Sequence, residues 1–307
     1  MSVTTRALAI LALIAGVWLS ALPAADASRP RVVATLPDLW SLTKAVAGNL
    51  VTLDVATRFG QNPHDLEIRP SQTLLVRRAD VLARNGLEED AWIDPIVEGA
   101  GNPKLLRGSP NVVEASPGVQ LLRVPTGVID RSMGDVHPLG NPHYTLDPSN
   151  IPLVTSNIVA GLTRVVPELA APLELNRVRF LEALAPIERR WRATLAPFRG
   201  APVVSYHDSW PYFYQAFGLV DGGVIEDRPG IPPSPQHLVS LIRRMSEQRA
   251  KIILLENWYP ADVANLVARK TGARVLIVPQ SPGAVKGTEE YVAHMDYLVR
   301  AVADNLR

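Results

Sequence analysis

Any chemistry in this sequence has to rest on imidazoles and carboxylates. The chain has six His and no Cys, which excludes disulfides, thiolate metal sites and cysteine nucleophiles together. His64 lies in a loop after a β-branched run, His143 in a long loop ahead of a helix-start sequence, and His207 directly after another β-branched run. Neutral imidazole is the commonest protein ligand for zinc, and three around one ion with an open fourth position is a known arrangement. The long separations match no compact metal motif. A lone His beside a strand is also more often structural than ligating, so spacing leaves both readings open. His137, a few residues before His143, could hand metal inward from the loop or simply face water. His237 is expected in the first turn of a helix and His294 on the last helix, in surface or packing roles.

Those residues need elements to hold them. From Arg31 onward short β-branched runs alternate with amphipathic segments, the pattern of βα units around a parallel sheet. Strands are expected over 32–36, 51–56, 81–84 and 112–114, then over 202–206, 220–225, 251–255 and 274–278. Helices are expected over 37–47, 70–78, 90–98, from the start signal Asp147-Pro148-Ser149-Asn150 to 166, and over 168–197 with a kink at Pro186. Further helices are expected over 210–217, from Pro235 behind a Ser234 cap to 248, over 261–271 closed by Gly272, and over 289–306. The fold class is α/β: two βα lobes with parallel sheets, 28–167 and 198–307, joined by one long rigid helix, 168–197. In such sheets ligands bind beyond the carboxyl ends of the strands, so histidines from both lobes can converge on one cleft. Residues 115–149 read as a long loop, and a loop of that length usually has a function.

The first 27 residues carry one cation, Arg6, an apolar run over 7–22 and the small-residue site Ala25-Asp26-Ala27, the layout of a cleaved secretory signal. The run is shorter than the roughly 20 residues of a membrane anchor. With Lys+Arg 31 against Asp+Glu 30, a basic nucleic-acid surface is not expected. The mature chain is expected to be a soluble, exported monomer.

Three segments raise the histidines above isolated signals: Asn62-Pro63-His64-Asp65, Asn141-Pro142-His143-Tyr144-Thr145-Leu146-Asp147-Pro148 and Val204-Ser205-Tyr206-His207-Asp208-Ser209. In this order they resemble the metal-binding segments of the zinc and manganese solute-binding proteins of ABC importers. The resemblance runs over essentially the whole mature chain, down to a Glu-Tyr pair, Glu290-Tyr291, before the closing helix. It implies His64, His143 and His207 as metal ligands, with zinc favoured because manganese-type members carry Glu at the third position. The family's fourth ligand is an Asp in an Asp-Ser-x-Gly-like turn; here the matching stretch is Gln280-Ser281-Pro282-Gly283, a departure. The weak amide ligand Gln280, or Glu256 at the end of a neighbouring strand, are then the candidates for that position.

The resemblance further implies an extracytoplasmic receptor with zinc as transported ligand and no catalysis. Its partners would be a membrane permease and its ATPase, with room for an accessory protein that loads the metal. A stiff helical connector predicts modest change on loading, concentrated in 115–142. Three rival readings are a manganese-specific receptor, a surface adhesin and a secreted zinc hydrolase. The hydrolase would need a general base, for which Glu256 is the candidate, yet no His-Glu-x-x-His helix or Gly-x-Ser-x-Gly elbow is present.

Overall fold

The structure, a computed structural model, describes residues 29–127, 134 and 136–307. The expected signal segment lies outside them. Among the described residues no helix is long and apolar enough to cross a membrane.

The first lobe runs β1 (Arg31–Ala34), α1 (Pro37–Ala47), β2 (Thr52–Val55), α2 (Pro70–Arg78), β3 (Val81–Arg84), α3 (Ile93–Ala100), β4 (Val112–Glu114) and α4 (Ile151–Val165). After α5 (Ala170–Leu195) the second lobe runs β5 (Pro202–Ser205), α6 (Pro211–Phe217), β6 (Val220–Val224), α7 (Pro235–Gln248), β7 (Ile252–Glu256), α8 (Asp262–Thr271), β8 (Arg274–Val278) and α9 (Tyr291–Leu306). The sheets are ordered β2-β1-β3-β4 and β6-β5-β7-β8, and every pairing is parallel. Each order reverses direction at its centre, between β1 and β3 and between β5 and β7. Such switch points leave a crevice beyond the carboxyl ends of the strands.

Local sequence sets most boundaries. Pro70 and Pro235 take first-turn helix positions, where a missing N–H costs nothing. The Ser234 hydroxyl accepts from the His237 N–H, and Gly272 closes α8 in the left-handed conformation. α3 starts at Ile93 rather than at the expected residue 90, because the Asp90 carboxylate is used elsewhere: it accepts from Thr35 Oγ1 at 2.7 Å and from the Asn85 N–H at 2.6 Å. Residues 148–150 form a separate 3-10 turn held by Asp147, and α4 follows at Ile151. α5 continues without a break through Pro186.

Leu173, Leu184, Trp191 and Leu195 form the buried stripe of α5, which packs on α1, α4 and α9. Around it one apolar cluster crosses the whole molecule, taking in Val32 and Leu39 of the first lobe, Trp191, then Val203, Leu254 and Leu298 of the second. The lobes therefore share a core instead of meeting at a bare hinge.

Candidate metal centre

Both Asn-Pro-His segments use the same local device. The His64 N–H donates to Asn62 Oδ1 at 3.0 Å, and the His143 N–H to Asn141 Oδ1 at 3.1 Å. These Asx turns fix the backbone that presents each ring. The His143 segment is tied to the end of β3: Asn85 Nδ2 donates to the Pro142 carbonyl at 3.1 Å, and Tyr144 OH donates to the Asn85 carbonyl at 2.9 Å. It is also tied to the second lobe, since Asn141 Nδ2 donates to the Asp208 carbonyl at 2.6 Å and Tyr291 OH to the Thr145 carbonyl at 3.0 Å.

These ties bring His64, His143 and His207 together. Ring centroids lie 6.2 Å apart for His64–His143, 5.3 Å for His64–His207 and 6.2 Å for His143–His207. His137 joins them, 5.0 Å from the His64 ring and 6.2 Å from that of His143, so this loop histidine faces the cluster and not water. His237 and His294 stand outside it. His237 contacts the Val224 carbonyl through Nε2 at 2.9 Å, and His294 is buried on α9.

Two carboxylates belong to the site that no local sequence signal singled out. Glu89 Oε2 lies 3.8 Å from His64 Nε2 and 3.4 Å from His137 Nε2. Among the described residues, donor atoms of His64, Glu89, His137 and His143 all lie within 4.8 Å of one another, a group that does not include His207. Glu226, just after β6, lies 2.8 Å from His207 Nδ1. With Nδ1–H donating to that carboxylate, His207 keeps its Nε2 lone pair free, the tautomer a metal ligand requires. Both could have been sought at the carboxyl ends of β3 and β6, where the rule for parallel sheets places ligand-binding residues.

The two fourth-ligand candidates occupy different positions. The Gln280 amide sits 3.0 Å from His143 Nδ1, where it orients that ring and leaves its Nε2 to face the cluster. Glu256 is fully buried, and its Oε1 accepts from Trp210 Nε1 at 2.9 Å; it lies outside the His/Glu group. Trp210, Tyr212, Phe213 and Tyr214 are buried in the core behind His207.

The electrostatics prepare the rings for a cation. Burial, reinforced by the neighbouring imidazoles, holds His64 and His143 well below the usual histidine range, and burial with His207 lowers His137 to about 4. All three therefore carry lone pairs, not extra protons, at neutral pH. His207 differs: burial pulls it down, but the hydrogen bond and charge of Glu226 with the charges of Glu256 and Asp208 outweigh this and raise it. Burial, with Asp90 and Asp38 nearby, pushes the Glu89 carboxyl well above the carboxylate range.

A two-lobe α/β protein with a continuous core and a buried histidine cluster between its parallel sheets has the make-up of a metal-binding solute receptor. Residues 32–305 match the family described as zinc-uptake complex component A, periplasmic, and the chain belongs to that family. Among its relatives, a high-affinity zinc uptake system protein ZnuA from Yersinia pestis is 27% identical, over 87% of this chain and 88% of that protein. The ZnuA of Paracoccus denitrificans is 24% identical, over 96% and 97%. A zinc-bound ZnuA deletion mutant superposes with a TM-score of 0.75 at 19% identity, covering 91% of this chain and 98% of that one. A manganese-bound point mutant of a periplasmic metal-binding protein from Candidatus Liberibacter asiaticus gives 0.76 at 19%, covering 90% and 99%. These two structures share the fold.

Proposed function

We propose that the chain is the extracytoplasmic receptor of an ABC-type metal importer, exported by its N-terminal signal, capturing Zn(II) between the lobes with His64, His143 and His207. It delivers the ion to a membrane permease driven by its ATPase and performs no turnover. The observation that carries this reading is the convergence of imidazoles from both lobes at the carboxyl ends of both sheets. Nitrogen-rich donors favour zinc over manganese, which prefers oxygen and lies at the weak end of the divalent series. A hydrolase would need a base beside the ion, and Glu256 lies outside the His/Glu group with its Oε1 engaged by Trp210 Nε1.

Chain purified from the exporting compartment is expected to carry one zinc per molecule by elemental analysis. The metal-free form is expected to prefer zinc to manganese in direct titration and to leave ester and peptide substrates untouched. Failure to retain zinc, or turnover of such substrates, rejects the reading.

Zinc binding is also expected to weaken on mild acidification. A protonated imidazole cannot ligate, and the ring with the raised pKa is His207. Affinity is therefore full above the His207 pKa and falls as pH drops through it, by about tenfold per unit for one competing proton. The loss begins above pH 6.5, the ordinary histidine value, because the shift is upward. His137, lowered to about 4, adds its own loss only in stronger acid. Competition titrations from pH 8 to 5 test this, and a flat profile contradicts it.

A further inference from the structure

We propose that Glu89 is a direct metal ligand, the anionic donor of the site; this deepens the receptor reading and rests on it. Four buried atoms in the cluster have no hydrogen-bond partner among the described residues: Nε2 of His64, His137 and His143, and Oε2 of Glu89. Orphaned buried polar atoms are rare singly and need a cause; four that face one another share one.

Their spacing identifies it. The Glu89 oxygen stands 3.4 and 3.8 Å from the His137 and His64 nitrogens, beyond the usual N–H···O range of about 2.7–3.2 Å. A tetrahedral zinc with bonds of roughly 2.0–2.1 Å separates neighbouring donors by about 3.3 Å. The carboxylate is thus one donor edge from two imidazoles, with an ion's width between them.

The backbone that aims Glu89 is built for this. After β3, Gly86, Leu87 and Glu88 all have positive φ, at 80°, 56° and 64°, a conformation that two non-glycine residues hold only when surroundings enforce it. Here Arg107 clamps both oxygens of Glu88 at 2.7 and 3.0 Å, outside the cleft, while Asp90 is fixed by Thr35 and Asn85. Glu89, between two pinned neighbours, turns inward.

The chemistry fits the departure at Gln280. Three neutral imidazoles leave the full double charge of zinc in a buried pocket, and Gln280 cannot reduce it; Glu89, releasing its proton to solvent as the ion binds, lowers it by one.

The test is zinc titration of wild type, Glu89→Gln and, as a control, Glu247→Gln at an exposed position of α7, with cobalt(II) as a visible probe of the donor set. Glu89→Gln is expected to weaken zinc binding at least about tenfold, the loss of the anionic charge, and to shift the cobalt absorption, while Glu247→Gln matches wild type. Zinc-loaded wild-type crystals are expected to show Glu89 Oε2 at about 2.0–2.2 Å from the ion, a readout independent of how well the variants fold. An unchanged cobalt spectrum and zinc affinity in Glu89→Gln, or a crystal distance beyond about 3 Å, overturns the assignment while the receptor reading stands. A wild-type chain that binds no zinc overturns both.

Discussion

His143→Ala is expected to lose at least about two orders of magnitude in zinc affinity, whereas Gln280→Ala loses about tenfold. Zinc in four-ligand protein sites is bound by about 10–16 kcal/mol, roughly 3 kcal/mol per donor, and each 1.4 kcal/mol is a factor of about ten. Removing His143 deletes one such donor at the centre of the cluster, 6.2 Å from each of three other rings. Gln280 contributes through His143, whose Nδ1 it meets at 3.0 Å. Its loss frees the ring to turn but leaves the donor in place, and such outer partners typically cost about 10–100-fold. Calorimetry or chelator competition on both variants decides the ranking. Equal losses would make Gln280 a ligand in its own right.

Trp191→Ala is expected to give the largest loss of stability of any single change in α5, about 3–5 kcal/mol. The indole is 1% exposed, meets the Tyr291 ring edge-on at 6.4 Å and donates its N–H to Asp296. It lies in the cluster that joins Val32 of the first sheet to Val203 of the second, so its removal opens a cavity where both lobes lean on the connector. Deleting so large a side chain forfeits transfer energy and leaves a void the surroundings fill only in part. At about 2–4 °C per kcal/mol for a chain of this size, the melting midpoint falls by roughly 6–20 °C. Trp191→Phe, which keeps most of the volume and loses the hydrogen bond to Asp296, is expected to cost far less. Thermal melts of the metal-free forms check both, and a loss under about 1 kcal/mol for the alanine variant would show that the shared cluster is not cooperative.

Much of the framework was legible in the sequence. Pro70 and the Ser234-Pro235 pair announce helix starts, Gly272 announces an end, and the alternation of β-branched and amphipathic runs gives two parallel sheets. The histidines were legible because residue type, local motif and strand-end position point the same way. The site carboxylates were harder. Glu89 lies in a run of acidic residues, Glu88-Glu89-Asp90, that differ only in what claims each: Arg107 takes the first, Thr35 and Asn85 take the third. Those partners are distant in sequence, and the left-handed Leu87 and Glu88 that turn the middle one inward carry no glycine to advertise them. Glu256 illustrates the converse. At the end of β7 it is buried with its Oε1 accepting from the indole of Trp210, a contact only folding reveals. Asp90 misled, reading as a helix start when its carboxylate is used to brace β1 against the turn after β3.

The shared core has a bearing on how cargo leaves. In a receptor with a slack hinge, thermal opening alone exposes the ion, and the dissociation rate follows the breathing of the halves. Here a rigid-body swing would have to tear Trp191 from Tyr291 and part the contacts that run from Val32 to Val203. Short of such a swing, the way in and out is the rim where His137 and His207 line a pocket with Arg123 and Asp208. The two lobes therefore grip like a vice rather than a trap.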